Sequence, residues 1–408
     1  MKCHHCQTEL EHVFLDLGFA PPSNSYLTEE QLRQSEKTYP LKLLVCESCW
    51  LVQTEDNDSG EQLFHDDYAY FSSVSKMLIE HSKRYCDIVT ERLPLTKDSY
   101  VVEVASNDGY LLRNFVESGV PCLGVEPTAG TAEVAARLGI PQLGEFFGEE
   151  LGRRLAGEGK QADLMIGNNV YAHVPDINDF TRGFKQALKP EGTVTLEFPH
   201  LLSTLTFKQF DTVYHEHYSY LSLNAVSKIF DAAGLRVYDV EEIPTHGGSL
   251  RVYGCHAESS IPTGNYVAAI LQKEADAGLS DMATYLAYQT QVEKVKDDMV
   301  AFLIEQKRAG KKVAGYGAAA KASTLLNYAG VRPDLLAFIA DMAPSKQTKF
   351  LPGCHMPVVP PSELAEFKPD WVVVFAWNIA QEIMETQNHV KEWGGRFIVF
   401  IPELKEIS

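Results

Sequence analysis

Between Thr212 and Tyr220 the chain gathers two histidines (His215 and His217), one carboxylate (Glu216) and three tyrosines (Tyr214, Tyr218 and Tyr220). An imidazole takes up a proton near neutral pH. A phenol or carboxyl group can donate to an oxygen that gains charge. These types in one stretch are the equipment for abstracting a proton and steadying an oxyanion. Extended backbone would put Tyr214 and Glu216 on one face and His215 and His217 on the other; a turn would let all four converge. The same residues also read as an aromatic surface loop with satisfied polar groups, or as a metal site whose third ligand the spacing does not place. His173 follows an apolar run at 164–166 and reads either as a group facing cofactor or substrate or as a structural histidine. Around His246, two glycines allow close backbone approach and Arg251 offers a partner for an anion. A hairpin turn with a surface arginine is the alternative there.

Metal-ligating chemistry sits elsewhere. Of eight cysteines, Cys3, Cys6, Cys46 and Cys49 form two pairs, each separated by two residues. Two such knuckles supply the four thiolates that a structural zinc ion prefers. A closed four-sulfur site leaves no open coordination position, so this metal is expected to fold a module rather than catalyse. Two unrelated thiol pairs are the alternative, and His4 and His5 read as bystanders. Cys86, Cys122, Cys255 and Cys354 are isolated. The first residues lack an apolar signal core, so a cytoplasmic location is expected and a disulfide framework is not.

Two stretches read as nucleotide sites. In the first, an apolar strand at 101–105 runs through Ser106, Asn107 and Asp108 to Gly109 and into a helix. Ligands bind open α/β sheets at such strand ends. The full glycine pattern that wraps a pyrophosphate is missing, which favours a ligand without phosphates. Glu126, about twenty residues further on, can accept both ribose hydroxyls. Together these features describe an S-adenosylmethionine site, with Glu103 near the cofactor's amino acid or ribose. In the second, Gly315, Tyr316 and Gly317 form a small turn before a helix whose N-terminus attracts phosphate. Lys321, Asp341, Lys346, Trp377 and Asn378 lie at or just beyond neighbouring strand ends. We read a nucleotide diphosphate there; a nicotinamide-type cofactor and an empty scaffold are the competing readings.

The elements that must position these groups follow from periodicity. Apolar runs at 100–105, Cys122–Val125, 164–166 and 193–198 read as buried parallel strands, with helices at 131–138 and 177–188 between them. A helix is expected at 75–93 and another at 224–233, a turn at 190–192, and closing strands at 235–240 and Ser249–His256. A turn-rich boundary at 261–264 precedes a long helical region ending at Gly310. Strands at 312–315, 336–340, 371–376 and 396–400 form a second α/β set. The 408 residues therefore divide into a zinc module (1–73), an S-adenosylmethionine-binding domain (74–260) and a second Rossmann-like domain (261–408). The net charge of -19 excludes a general nucleic-acid binder, and no run is long and apolar enough to span a bilayer. Nothing demands an oligomer; a monomer satisfies the sequence.

Taken in order, the two cysteine pairs, Tyr68 to Ser73, Glu103 to Gly109, Tyr214 to His217, His246 to Arg251 and Gly315 to Lys321 make the whole chain resemble the C-methyltransferases that act on nucleotide-linked 4-keto-deoxysugars. The resemblance implies three domains, zinc and S-adenosylmethionine as cofactors, and a dTDP-, GDP- or CDP-linked sugar substrate. It implies methylation beside the ketone, with carbon 3 favoured over carbon 5. It implies that the element of Tyr214, Glu216 and His217 supplies the base, for which His217 is the candidate because imidazole titrates near neutral pH, with His173 and an N-terminal tyrosine (Tyr68 or Tyr70) as further active-site groups. Tyr68, Ser73, Ala105, Asn107, Tyr110, Leu111, Pro127, Asn168 and Asn169 join Glu103, Gly109 and Glu126 as the expected cofactor contacts. Two competing functions use the same features: a nicotinamide-dependent oxidoreductase, and a zinc-ribbon interaction protein without enzymatic activity.

Overall fold

The computed structural model describes residues 1–55, 72–74 and 76–408; Tyr68 and Tyr70 lie outside them. The N-terminal module is an antiparallel sheet of β1 (His12–Ala20), β2 (Tyr39–Val45) and β3 (Val52–Thr54). Its fourth strand, Ser219–Tyr220, comes from far along the chain and is the end of the histidine-tyrosine stretch. Leu41 and Leu43 of β2 alternate inward, while in β1 a register irregularity between Val13 and Leu15 accompanies the burial of both Phe14 and Leu15.

The second unit carries a seven-stranded sheet. In chain order its strands are β4 (Val101–Val104), β5 (Cys122–Val125), β6 (Gln142–Leu143), β7 (Ala162–Asn168) and β8 (Leu188–Pro199). After β9 (the Ser219–Tyr220 strand of the first sheet) come β10 (Leu235–Ile243) and β11 (Ser249–His256). The spatial order is β10-β11-β8-β7-β4-β5-β6, with β4 to β8 parallel and β11 antiparallel to both neighbours. The chain reverses direction between β4 and β7, so the crevice for a ligand lies over their carboxyl ends. The turn expected at 190–192 is instead an irregularity inside the continuous strand β8, where the β7 partner jumps from Leu188 to Thr193.

The third unit has strands β12 (Val313–Tyr316), β13 (Ile339–Ala340), β14 (Val358–Val359), β15 (Trp371–Val374), β16 (Arg396–Val399) and β17 (Lys405–Ile407). Its order, β14-β13-β12-β15-β16-β17, is parallel except for β17, a doubly wound arrangement. The expected long helical region is three helices: Asn265–Asp276, Met282–Leu286 and Tyr288–Arg308. The first packs Val267 and Ile270 into the core of the second unit. Its Glu274 accepts from the amides of Leu223 and Asn224 and pairs with His200 at 2.7 Å. The helix Asn265–Asp276 thus packs with the second unit, and Tyr285 of the next helix packs with the N-terminal sheet and the third unit. The helix Tyr288–Arg308 lies under the N-terminal sheet, where Phe14 stacks on Tyr288 at 4.9 Å. Each such buried ring stabilises the seam by about 1.5–3 kcal/mol. Among the described residues no helix is long and apolar enough to cross a membrane.

Candidate active site

The stretch between Thr212 and Tyr220 turns. The His217 amide donates to the Tyr214 carbonyl at 3.0 Å, which folds residues 214–217 back on themselves. Tyr214 and His217 then stack at 4.0 Å, and His173 meets His217 edge to face at 4.6 Å. Nδ1 of His217 lies 3.0 Å from the Thr212 carbonyl, and Nδ1 of His173 lies 2.8 Å from the Glu216 carbonyl. A carbonyl only accepts, so both rings carry hydrogen on Nδ1 and present a bare Nε2. Burial, then the neighbouring His173, pushes His217 well below its usual range, and burial holds His173 down at about 4. Both rings are thus neutral at pH 7. His215 does not converge with them: it points into the N-terminal module, bonded to the Pro40 carbonyl at 3.1 Å and set against Tyr39. Glu216 is buried, and both its oxygens accept from Nδ2 of Asn24, at 2.8 and 3.0 Å.

At the ends of β4 and β5 the backbone takes three left-handed steps, at Ala105, Asn107 and Gly109. Only glycine fits the third, since a Cβ on Gly109 would stand 2.5 Å from Ile140 and 3.0 Å from the Ala135 side chain. Glu126 clasps this turn by accepting from the Asn107 amide, and it accepts from the Thr128 amide as well, both at 2.9 Å. The Ser72 and Ser73 amides bond the side chains of Asn107 and Asp108. Glu103 and Asp108 are buried, and Asn168 ends β7; each keeps one buried oxygen with nothing to accept from. Burial, then Glu126 and Asp108, holds Glu103 well above the usual carboxylate range. Asn169 is left-handed, and its amide donates to the Glu197 carbonyl. Pro127 follows the clasp. Leu111 and Tyr110 instead pack in the apolar cluster beneath the turn, so their side chains belong to its support.

Arg251 departs from expectation. It is buried with Nε and Nη2 on Glu197, at 2.7 and 2.6 Å, and Nη1 on Glu241 at 3.0 Å, its guanidinium over the Tyr85 ring. His81 closes the same carboxylate at 2.8 Å. Two carboxylates already satisfy this arginine, which removes it from the anion-binding set. Burial lowers the nearby His246 to about 4. Gly247 lets the hairpin meet the third unit: a Cβ there would lie 2.3 Å from the Trp377 ring.

In the third unit Asp341 repeats the Glu126 device, accepting from Ala318 in the β12 turn and from Ala343, both at 2.8 Å. Gly315 and Gly317 are required by packing, against Phe375 and Ala376. Tyr316 also faces inward, toward Gln387, and is a core residue rather than a ligand contact. Lys346 reaches the Ala318 carbonyl at 2.9 Å and Asp341 at 3.7 Å. Lys321 donates to Asn378 at 3.1 Å and lies 4.0 Å over the Trp377 ring. The indole N–H of Trp377 donates to buried Asp211 at 2.7 Å. Burial raises Asp211 to about 6, and its other oxygen has no partner.

Asn24, Glu197, His81 and Asp211 were not singled out from the sequence. Asp211 directly precedes the cluster, and Glu197 is a charge inside an apolar strand; both were signals. Asn24 and His81 carried none.

Family comparisons extend over the chain. Residues 3–64 match a family described as "Putative zinc binding domain", residues 77–240 a "Methyltransferase domain", and residues 244–402 a "C-methyltransferase C-terminal domain". The C-methyltransferase NovU of Streptomyces niveus is 35% identical over 407 residues, covering 100% of this chain and 97% of that protein. The chain belongs to this C-methyltransferase family. An uncharacterized methyltransferase of Mycobacterium leprae is 29% identical over 98 residues, 24% of this chain and 36% of that protein. Two solved structures align with part of the chain. The YcgJ protein of Bacillus subtilis covers 44% of this chain and 100% of its own at 12% identity and TM-score 0.35. The magnesium protoporphyrin IX methyltransferase of Synechocystis covers 44% and 82% at 13% and 0.34.

The C-methyltransferase depends on S-adenosylmethionine, and the turn after β4 suits that molecule. Unpartnered oxygens on Glu103, Asp108 and Asn168, in a pocket also walled by Glu126, ask for a donor-bearing cation. The ammonium of S-adenosylmethionine supplies such donors and its sulfonium adds positive charge, whereas a pyrophosphate would face the acidic side chains of Glu103, Asp108 and Glu126. The thiols suit zinc equally well. Ligand atoms of Cys3, Cys6, Cys46 and Cys49 all lie within 4.8 Å of one another, with Cys3 to Cys49 and Cys6 to Cys46 at 3.5 Å. The two knuckles match: the residue after each, Gln7 and Trp50, is left-handed and donates its amide back to the carbonyl of Cys3 or Cys46. Sulfurs packed so closely cannot all ionise unless a cation joins them. His5 stands outside this set, bonded with Asn178 of the second unit.

Proposed function

We propose that this C-methyltransferase methylates carbon 3, beside the ketone, of a nucleotide diphosphate-linked 4-keto-6-deoxysugar, in the cytoplasm. The observation that supports the reading is the neutral His217, which carries its hydrogen on Nδ1, meets His173 edge to face and lies within the field of Lys321. S-Adenosylmethionine supplies, when bound, an electrophilic methyl group for the nucleophilic carbon. Glu103, Asn107, Asp108, Glu126, Asn168 and Asn169 hold it. Nε2 of His217 takes the proton from the carbon beside the ketone, and the electron pair moves onto the ketone oxygen. Tyr214 or Glu216 orients His217 or steadies that oxygen, which lowers the barrier electrostatically. The Thr212 carbonyl keeps the imidazole in the tautomer that can accept. The nucleotide diphosphate lies at the turn between β12 and the helix Ala320–Ala329, where Lys321 and Lys346 supply the positive charge that the chain as a whole lacks. Trp377 and Asn378 hold Lys321, and His246 faces the same cleft.

Incubating the protein with methyl-labelled cofactor and a panel of dTDP-, GDP- and CDP-linked 4-keto sugars, followed by mass spectrometry and NMR of the product, tests this. A labelled methyl on carbon 3 is expected. Label on carbon 5 corrects the position, and label on none of the panel overturns the substrate class.

A further inference from the structure

Between β1 and β2 the N-terminal module sends out a tight turn, residues 21–26. The Ser25 amide donates to the Pro22 carbonyl, and the Tyr26 amide to the Asn24 carbonyl. The turn touches both other units. Asn24 donates through Nδ2 to both oxygens of Glu216, at 2.8 and 3.0 Å. Two residues on, the Tyr26 hydroxyl donates to the Ala318 carbonyl at 2.5 Å, the carbonyl that Lys346 also reaches.

Glu216 is only 4% exposed, whereas Asn24 is exposed. Its backbone is held as well, since its carbonyl accepts from His173. The ionised carboxylate accepts more strongly than the acid at both of the oxygens that face this amide. Asn24 therefore favours the charged, bidentate form, against burial, which pulls Glu216 toward the neutral acid. The titratable groups that feel its charge are the phenols of Tyr26 and Tyr218, while the neutral His173 ring bonds its backbone carbonyl.

We propose that Asn24 is a positioning residue of the methyl-transfer site, fixing the Glu216 carboxylate beside the His217 turn. The turn at 21–26 thereby ties the zinc module to the proton-transfer loop and, through Tyr26, to the nucleotide loop. This rests on the functional reading above and adds a residue to it.

Two variants test it. Asn24→Ala removes the donor, and Asn24→Asp replaces it with an acid that donates only when protonated. In Asn24→Ala, zinc content and cofactor Kd stay at wild-type values, KM for the sugar nucleotide stays within about twofold, and kcat falls about 10- to 100-fold, the worth of a hydrogen bond to a charged group. In Asn24→Asp the loss is largest at high pH. It recovers by about tenfold toward pH 6, because paired carboxylates hold a proton between them, while His217 stays neutral. Wild-type kcat in both variants overturns the proposal. So does a loss in Asn24→Asp that is equal at every pH, and so does loss of zinc or of cofactor binding in Asn24→Ala. A substrate-free readout separates this from the functional reading. Carbon-13 NMR of carboxyl-labelled glutamate, assigned with Glu216→Gln, follows the Glu216 titration directly. Its movement to higher pH in Asn24→Ala upholds the positioning role even if no sugar nucleotide proves to be a substrate, and an unchanged titration overturns it.

Discussion

At the scale of single residues, the proposed reaction turns on His217 being neutral and correctly tautomeric, and its surroundings favour both. An imidazole that is cheap to protonate in water is costly to protonate when buried beside a second imidazole and within the field of Lys321. His217→Ala should abolish two things together: methyl transfer, by about 10²- to 10⁴-fold, and exchange of the substrate's alpha proton with deuterated solvent. Cofactor affinity should hold, because that site lies on other strands. Exchange at the wild-type rate in this variant would remove His217 as the base. The neutral rings also make stability depend on pH. His173 has a folded value near 4, below the ordinary value near 6.5 that applies to the unfolded chain. The unfolded chain then binds more protons between those values, so stability is complete above pH 6.5 and lost as pH falls toward 4. Thermal melts of wild type and His173→Gln, compared from pH 7 to pH 4.5, should show a shallower decline in the variant. Parallel declines would assign the acid sensitivity elsewhere.

At the scale of elements, the zinc module does more than close a small fold. Its sheet accepts β9, which begins one residue beyond the 214–217 turn, so the loop proposed to carry the base is anchored on a strand pair the metal organises. Cys46→Ser should lower zinc content and melting temperature together, and should lower kcat although zinc touches no substrate. Full zinc retention with all four thiols titratable would sink the four-thiolate site. The same elements show what was legible in the sequence. Strands buried on both faces, such as Cys122–Val125 and Trp371–Val374, read as continuous apolar runs, and the paired cysteines announced their site by spacing alone. The turn at 214–217 was ambiguous because period-two and folded-back geometries share one sequence; a single amide-to-carbonyl bond decides between them. Arg251 was misread because the partners that claim it, Glu197 and Glu241, lie 54 and 10 residues away and meet it only across sheet register. Short elements such as Gln142–Leu143 and Leu201–Thr206 had too few residues to show a period.

At the scale of the whole molecule, the two α/β units use one device twice: an acid after the second strand clasps the turn after the first. Glu126 holds Asn107 and Thr128; Asp341 holds Ala318 and Ala343. The second and third units meet at a seam that includes Trp377. That residue fills the space left by Gly247, carries Lys321 on its face and donates to Asp211, one residue before the His217 loop begins. Trp377→Phe keeps the ring but deletes the N–H. Asp211 is then left buried with neither oxygen paired, at a cost of about 1–3 kcal/mol. The Asp211 carboxyl should be driven further up, withdrawing the negative charge that stabilises Lys321. KM for the nucleotide-sugar should therefore rise by about tenfold or more, measured by steady-state kinetics, while the Kd of S-adenosylmethionine, measured by calorimetry, stays constant. Equal weakening of both ligands would mean that the seam supports the fold as a whole and not the nucleotide site alone.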